Sequence, residues 1–396
     1  MRSTPTERTR EQLEAVAVAG LGTVSFVRSA LEVVGRAVPF AAACVATIDP
    51  RTQLATGAHK VGTMADVAPA EDELWAFHEY VVDDLYDYRD LLERDGGVTT
   101  VHRETAGDPL RCLRYENFFH PTWAVTDELR AAATVDGQLW ALLALFRDDG
   151  TRVRTFNEAE MDFLSSVSPV LARGLRACLV TSTVAALAPS GVVDATDGGA
   201  DGDGGAGLGT GVLLVDLRGG VLSANAAAGA RIAALGGGPV GRSELPMPVQ
   251  SVVKAARRFG QGRRTWAPRV RVRTASGRWM VLSASPMAAH ADGAAPAIAV
   301  TIEDAGAAEV LPLLVAAHGL TPREQDVVAL VLGGSSTAEI SARLHLSGWT
   351  VQDHLKSVFA KVGVRSRREL TAKVFTEEYV PRMGPGSTPG PSGFFG

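Results

Sequence analysis

The stretch LTPREQDVVALVLGGSSTAEISARLHLSGWTVQDHLKSVFAKVGVRSRREL, residues 320–370, decides the fold of the C-terminal part of this chain. It contains three pairs with the spacing of a capping box, in which a hydroxyl and a carboxylate three residues apart satisfy free amides at a helix start. These pairs are Thr321 with Glu324, Ser336 with Glu339 and Ser366 with Glu369, and Ser347 supplies a fourth N-cap. Glycines at 333, 334 and 363 predict helix ends. The stretch therefore predicts short helices joined by tight turns, as in a helix-turn-helix.

Each of the four predicted helices carries apolar residues three or four positions apart, which places them on one face. These residues are Val327, Val328, Val331 and Leu332, then Ile340 and Leu344, then Val351, Leu355, Val358 and Val362, and finally Leu370 and Val374. We expect the four faces to close into one small core.

The third predicted helix leaves a polar face outside this core. That face carries Trp349, Gln352, Asp353 and Lys356 on its first turns, where a recognition helix meets base edges. The N-terminus of this third helix also offers free amides to a phosphate, beside the hydroxyls of Ser347 and Thr350.

Residues 320–370 resemble the LuxR-type (GerE-type) DNA-binding domain of bacterial transcription regulators. The matching motifs are L-T-P-R-E from Leu320, G-S-S-T-A-E-I from Gly334, L-S-G-W-T-V-Q-D-H from Leu346 and K-V-G-V-R-S-R from Lys361. The resemblance implies a four-helix domain whose third helix enters the major groove and whose fourth helix helps to pair two copies. The candidate DNA-binding residues are Ser347, Trp349, Thr350, Gln352, Asp353, Lys356, Lys361, Arg365 and Arg367.

One departure from the family pattern affects sequence preference. After the T-V pair, where the family usually has Lys, this chain has Gln352 followed by Asp353. A phosphate or base contact is lost, and a charge that repels phosphate is added. Gln can instead bind adenine bidentately, and Asp can accept a hydrogen bond from cytosine.

The charge balance agrees with a basic module on an acidic protein. Residues 320–375 contain eight Lys or Arg and five acids, a net of three positive charges, whereas the whole chain has a net charge of −5. Local positive charge attracts DNA phosphates, but three charges are few, so we expect a homodimer to be needed for strong binding.

Length and composition favour a folded, cytoplasmic, multidomain protein. The chain has 396 residues, of which 46% are hydrophobic, and no apolar run is long enough to span a membrane. Its three cysteines, Cys44, Cys112 and Cys178, lie far apart, so we expect buried thiols rather than disulfides, a zinc site or a redox sensor. No metal or cofactor is expected.

Gly-rich and Pro-rich stretches divide the chain. Eight of the fourteen residues from 198 to 211 are Gly, which is typical of a flexible linker. A G-x-G-x-x-G spacing occurs there, but no strand pattern precedes it and a strand follows, so no nucleotide loop is predicted. We predict a sensor domain at 1–185, the linker at 186–210, a second mixed domain at 211–306, a connector at 307–318, the DNA-binding domain at 319–376 and a disordered tail at 377–396.

The first domain is predicted to mix helices and strands. We expect a helix through 16–38, a strand at 41–48, a hairpin of strands at 129–135 and 139–146 that turns at Asp136-Gly137, and a long helix that begins at Asn157. This order resembles a GAF-like sensor domain of actinobacterial LuxR-type regulators. No ligand motif accompanies the resemblance.

Two sets of residues in this domain have both a structural and a functional interpretation. The acids Asp83, Asp84, Asp87 and Asp90 fit a solvated helix face better than a metal cluster. The aromatic residues fit a core better than a ligand pocket. They are Trp75, Phe77, Tyr80, Tyr86, Tyr88, Phe118, Phe119 and Trp123.

The second mixed domain begins with strand patterns at 211–217 and 221–224, which are followed by an alanine-rich helix that Asn225 opens. Further strands are expected near 270–274, 279–285 and 297–302. The opening G-V-L-L-V-D-L-R-G-G-V-L-S-A-N resembles a PAS-like fold, which implies ligand binding or dimerisation. The row Arg269, Arg271 and Arg273 is interpreted as a solvated edge rather than a DNA contact.

These features predict a DNA-binding transcription regulator of multidomain α+β fold, with GAF-like and PAS-like domains before an all-α four-helix domain. Double-stranded DNA and a second copy are the expected partners, RNA polymerase is a further candidate, and the small-molecule ligand is unknown. Control by abundance or by a protein partner, without a ligand, stays open. No phosphorylation pocket or catalytic motif passes its context test, so neither a response regulator nor an enzyme is expected.

Overall fold

The computed structural model of the chain describes residues 5–66, 69–82, 84–187, 209–242, 245–260, 268–288, 296–306, 309, 313 and 317–379. Nearly all of the predicted linker and tail, and most of the predicted connector, lie outside the described residues. The chain forms two compact units, one of Met1–Cys178 with Leu208–Asp304 and one of Leu179–Gly207 with Ala305–Gly396.

The first unit contains two five-stranded antiparallel sheets. Sheet 1 consists of β1 (Ala42–Ile48), β2 (Ala55–Gly62), β3 (Val98–Thr100), β4 (Val125–Val135) and β5 (Gln138–Asp148) in the order β2-β1-β5-β4-β3. The predicted hairpin between β4 and β5 is confirmed. Asp136 and Gly137 both have positive φ, 53° and 72°, which is the backbone that a two-residue turn of this kind requires.

Along the chain, α-helices precede, connect and follow the strands of sheet 1. They are α1 (Pro5–Ala17), α2 (Thr23–Ala37), α3 (Pro69–Tyr80), α4 (Tyr88–Leu92), α5 (Val101–Glu104), α6 (His120–Trp123) and α7 (Glu158–Leu187). The prediction of one helix through 16–38 was wrong, because Gly20 at φ 68° separates α1 from α2. The predicted start of α7 is confirmed: Glu160 N donates to Asn157 Oδ1 at 3.1 Å, and Asn157 N donates to Glu160 Oε2 at 3.0 Å.

Sheet 2 consists of β6 (Gly211–Asp216), β7 (Val221–Ala224), β8 (Arg269–Arg273), β9 (Trp279–Met287) and β10 (Ala297–Asp304) in the order β7-β6-β10-β9-β8. The five predicted strands are therefore present. Helix α8 (Ala226–Ala234) begins where the sequence predicts, since Asn225 Oδ1 accepts from Ala228 N at 2.8 Å. Helix α9 (Met247–Gly260) was not predicted.

The two sheets share one apolar core, and α9 lies at its centre. Val249, Val252 and Val253 are fully buried and belong to the same cluster as core residues of both sheets. Ser251 Oγ donates to the carbonyl oxygen of Ala55 in β2 at 3.0 Å. Sheet 1 and sheet 2 are thus packed together through an amphipathic helix that contacts both.

A buried ion pair also joins the sheets and corrects an expectation about β8. The Asp49 carboxylate accepts three hydrogen bonds from Arg271. The donors are the Arg271 backbone N at 3.1 Å, Nε at 2.9 Å and an Nη at 2.5 Å. Arg271 is buried, not part of a solvated row, because the turn after β1 covers that position of the edge strand. Arg269 remains exposed.

The second unit contains the four predicted C-terminal helices. They are α10 (Pro322–Leu332), α11 (Thr337–Leu344), α12 (Gly348–Val362) and α13 (Arg367–Tyr379), and their apolar faces close into one core as expected. The capping boxes of α10 and α11 are complete. At α13 the expected box is altered: Glu369 N donates to Ser366 Oγ at 3.1 Å, but the Glu369 carboxylate accepts from Arg365 N, one residue before Ser366, at 2.7 Å.

The described chain thus combines two antiparallel sheets and their helices with a separate helical unit. This agrees with the predicted mixed architecture followed by an all-α domain. The more specific GAF-like and PAS-like assignments stay predictions. None of the helices that the structure describes combines the length and the apolar run that a bilayer crossing requires.

Candidate nucleic-acid interface

Helix α12 has one buried and one exposed face. Its buried residues are Val351, Leu355, Val358 and Val362. The opposite face exposes Gln352, Asp353 and Lys356, and Trp349 with 77% of its surface accessible. A large aromatic side chain this exposed on the first turn of a helix contributes nothing to the core, so it is available to a partner.

The start of α12 is held by its own hydroxyls. Ser347 Oγ accepts from Thr350 N at 3.0 Å, and the Ser347 and Thr350 hydroxyls are 2.8 Å apart. This N-cap satisfies one free amide and leaves others at the helix start for an external acceptor. The predicted phosphate position therefore has the expected local geometry.

Gln352 and Arg367 both contact the N-terminal end of α11. Gln352 Nε2 donates to Thr337 Oγ1 at 3.3 Å. Arg367 donates to the same Oγ1 at 2.8 Å and to the carbonyl oxygen of Ser335 at 2.9 Å. A bidentate contact from Gln352 to adenine uses one of the two N–H groups of its amide, so the other N–H can keep the bond to Thr337.

Glu324 is the centre of a buried polar contact that sequence reasoning found only in part. Besides capping α10, its Oε1 accepts from Ser357 Oγ at 2.6 Å and its Oε2 from Lys361 Nζ at 2.7 Å. Burial favours the neutral acid, but the hydrogen bonds from Lys361, Ser357 and Thr321 outweigh it and lower the pKa of Glu324 to about 2. The carboxylate therefore fixes α12 against α10.

The nine candidate DNA-binding residues thus fall into two groups. Ser347, Trp349, Thr350, Gln352, Asp353 and Lys356 lie together on the first turns of α12. Three others lie outside that surface: Lys361 pairs with Glu324, Arg367 bonds the turn before α11, and Arg365 lies exposed in the turn before α13. The first group forms one continuous face, which we call the α12 face.

Sequence-based interpretations in the first unit have different outcomes. Asp84 was expected on a solvated helix face, but its side chain is only 4% exposed. It accepts from Leu113 N at 2.9 Å, from Arg114 N at 3.0 Å and from Cys112 Sγ at 3.1 Å, so it holds a loop in place. Among the described residues no group of acids, histidines or cysteines could hold a metal ion, and Asp83 lies outside them.

The aromatic residues of the first unit are mostly core. Tyr80, Tyr86, Tyr88, Phe118 and Phe119 are each at most 2% exposed. Two cavities beside them have volumes of about 20 Å³ each. A single water needs roughly 10–15 Å³ on this measure, so each of these two cavities has room for about one water and not for an organic ligand.

Two cysteines are buried in this unit. Burial raises the pKa of the Cys112 thiol to about 12 and that of Cys178 to about 11. Both therefore stay protonated and unreactive near neutral pH, which agrees with the interpretation of buried small residues.

Comparison with known families supports the assignment of the second unit. Residues 318–374 match the family described as "Bacterial regulatory proteins, luxR family" (GerE). This segment is therefore a LuxR-type helix-turn-helix domain, a DNA-binding module of bacterial transcription regulators.

Individual relatives match over the same short length. The chain is 53% identical over 51 residues to the HTH-type transcriptional regulator Rv0890c of Mycobacterium tuberculosis, which covers 13% of this chain and 6% of that protein. It is 48% identical over 48 residues to the response regulator RamR of Streptomyces coelicolor, covering 12% and 24% respectively. The chain thus spans a quarter or less of the length of these relatives. They are named as regulators, not as enzymes.

Solved structures of VqmA from Vibrio cholerae are also similar to this chain. One describes a VqmA dimer in the absence of target DNA. Its comparison with this chain gives a TM-score of 0.18 and 19% identity, and covers 43% of this chain and 84% of that chain. Another describes a VqmA complex with ligand and DNA, with a TM-score of 0.20 and 21% identity over 44% of this chain and 86% of that chain.

Proposed function

We propose that this chain is a cytoplasmic, sequence-specific DNA-binding transcription regulator that binds a pseudo-palindromic operator as a dimer. The observation that carries the proposal is the α12 face of a LuxR-type domain, which is exposed while the rest of the helix is fixed in the core. Helix α12 enters the major groove, and the turn before α11 lies near the backbone.

Residues of the α12 face have different roles in this proposal. Lys356 neutralises a phosphate and contributes affinity without sequence preference. Gln352 and Asp353 contact base edges, and Trp349 packs against the sugar-phosphate backbone. The free amides at the start of α12, beside the hydroxyls of Ser347 and Thr350, hold a second phosphate.

Pairing of two copies is assigned to α13, and signal sensing or further pairing to the two sheets. Leu370 is buried in the domain core, whereas Arg368, Thr371 and Ala372 of α13 are exposed. A net of only three positive charges per domain supports dimeric binding, because two domains double the number of phosphates neutralised. The LuxR-type resemblance supports the same role for the fourth helix.

The operator must first be found by genome-wide footprinting with the purified full chain. Titration of that operator at several salt concentrations then tests the roles. Lys356→Ala should weaken binding to every sequence and reduce the salt slope by about one. Gln352→Ala should change preference at one base position, by about 1–3 kcal/mol.

Lys361→Ala is the matched control, because it removes the same charge from the same helix at a residue already paired with Glu324. It should lower domain stability and leave the salt slope nearly unchanged. If both Gln352→Ala and Asp353→Ala keep the sequence preference of the unchanged chain, the α12 face does not contact bases as proposed.

A further inference from the structure

A groove in the first unit lies where α3 and α9 meet the hairpin between β6 and β7. Its volume is about 350 Å³, within the range of small-molecule sites and far larger than the cavities beside the aromatic core. It is lined by Glu73, Leu74 and Phe77 of α3, Arg218 of the hairpin, and Lys254 and Arg257 of α9. None of these residues belongs to the DNA-binding domain.

The base of the groove is a fixed ion pair. The Lys254 side chain is only 3% exposed, and its Nζ donates to Glu73 Oε1 at 3.2 Å and to the carbonyl oxygen of Arg218 at 3.1 Å. Gly219 has φ 100°, and a Cβ there would lie 2.7 Å from Glu73 Oε1. A residue with a Cβ would be strained at this φ, and its Cβ would displace the Glu73 carboxylate from its present position.

Two guanidinium groups remain after this pairing. Arg257 donates to the carbonyl oxygen of Leu217 at 3.1 Å and lies over the ring of Phe77 at 5.6 Å. Arg218 is exposed at the tip of the hairpin. Among the described residues no carboxylate forms an ion pair with either group, and Glu73, the acid in the lining, pairs with Lys254. The groove thus has excess positive charge in the form that best matches an oxyanion.

The apolar lining of the groove comes from α3. Leu74 is 39% exposed, and the half-buried ring of Phe77 lies beneath Lys254 and Arg257. Apolar surface beside two guanidinium groups selects ligands that carry both an anionic group and an apolar body.

We infer that this groove binds a small organic anion, whose phosphate or carboxylate is held by Arg218 and Arg257 and whose apolar body lies on Leu74 and Phe77. The anion bridges helix α3, which lies between β2 and β3 in the chain, and the hairpin between β6 and β7 of sheet 2. The inference concerns binding in the first unit, and it stands whether or not the chain binds an operator.

Calorimetric titration of the full chain tests the inference with phenyl phosphate and benzoate, which represent the two sources of oxyanion. At least one of them should bind saturably below about 10 mM. Which of the two binds more tightly distinguishes a phosphate from a carboxylate ligand. Inorganic phosphate and phenol should each bind at least about tenfold more weakly than the preferred probe, because each lacks one of the two features.

Arg257→Gln and Arg218→Gln should each weaken binding of the preferred probe by about tenfold or more. Arg152→Gln, an exposed arginine in the loop between β5 and α7, is the matched control and should leave it unchanged. If Arg257→Gln loses the folded far-UV spectrum, Arg218→Gln decides the result, since that side chain is exposed. Absence of binding by both probes, equal binding of phenol, or unchanged binding in the Arg218 variant would overturn the inference.

Discussion

Glu324 illustrates how one side chain connects a helix start to the recognition helix. The capping box with Thr321 is a local pattern, and the sequence predicts it from a spacing of three. The bonds to Ser357 and Lys361 join residues 33 and 37 positions apart, so no local pattern indicates them. The position of the α12 face therefore depends on a carboxylate that lies outside that face.

Replacing this carboxylate should destabilise the DNA-binding domain. In a fragment of residues 310–379, whose only tryptophan is Trp349, Glu324→Gln should reduce the free energy of unfolding by about 2 kcal/mol at pH 7. Tryptophan fluorescence in urea measures this. Glu339→Gln, which alters an exposed capping carboxylate, should cause a smaller loss.

The pH dependence of the same fragment has a defined sign. Because the folded-state pKa of Glu324 is about 2, below its ordinary value of 4.5, the ionised carboxylate stabilises the fold fully above pH 4.5. This contribution should disappear as the pH falls from 4.5 towards 2. The Glu324→Gln variant should lack that loss, and parallel pH profiles for the two proteins would argue against the assigned ion pair.

At the scale of elements, the C-terminal helices were predicted well and the N-terminal helices less well. Helix starts in the second unit carry Ser or Thr caps, and their apolar residues recur at one helical period. Helix α9 lacks such a signal at its start, where Pro246 and Pro248 flank Met247. Its apolar residues Val249, Val252, Val253 and Ala256 do recur at the helical period, so the missing cap, and not a missing apolar stripe, left this helix unpredicted.

Packing between α2 and α7 leads to a prediction with an internal control. A Cβ at Gly174 of α7 would lie 2.1 Å from the ring of Phe26, whereas one at Gly229 of α8 would meet nothing within 4 Å. Gly174→Ala should therefore cost about 1–3 kcal/mol through overpacking. Gly229→Ala should be neutral or stabilising by up to about 1 kcal/mol, since alanine favours helix.

Thermal unfolding of the full chain, followed by circular dichroism, measures both variants. A Gly174→Ala protein as stable as the unchanged chain would mean that α2 and α7 are not in such close contact.

At the scale of the whole molecule, the first unit should unfold as one cooperative body. The two sheets share a core, and the buried pair of Asp49 and Arg271 joins residues 222 positions apart. Asp49→Asn leaves the guanidinium buried without its counter-charge, which should cost about 3 kcal/mol. Calorimetry should show a single transition for both sheets that shifts as a whole, whereas Arg152→Gln, at an exposed arginine in the loop between β5 and α7, should shift it little.

Any regulation of the proposed operator binding also belongs to the scale of the whole chain. We expect the N-terminal part to restrain the DNA-binding domain, because a signal can act only by favouring one of two arrangements. The full chain should then bind the operator more weakly than residues 310–378, as measured by gel shift. Equal affinity, corrected for any difference in dimer formation, would count against this restraint.

The sequence by itself determined the C-terminal domain and the composition of the α12 face. Caps, turns and the helical period each involve residues three or four positions apart, so the sequence from Leu320 to Leu370 is enough to predict them. It also predicted β1, β4 and β5 of sheet 1 and all five strands of sheet 2, because alternation and tight turns are local as well, whereas β2 and β3 were not predicted as strands.

Only the tertiary structure decided which of these pieces touch. The burial of Arg271, the shared core around α9, the contact of Glu324 with Lys361 and the cationic groove at Arg218 and Arg257 all depend on residues far apart in the chain. Such contacts follow from the packing of whole elements. A charged residue whose sequence pattern predicts exposure can be buried when another element supplies its counter-charge.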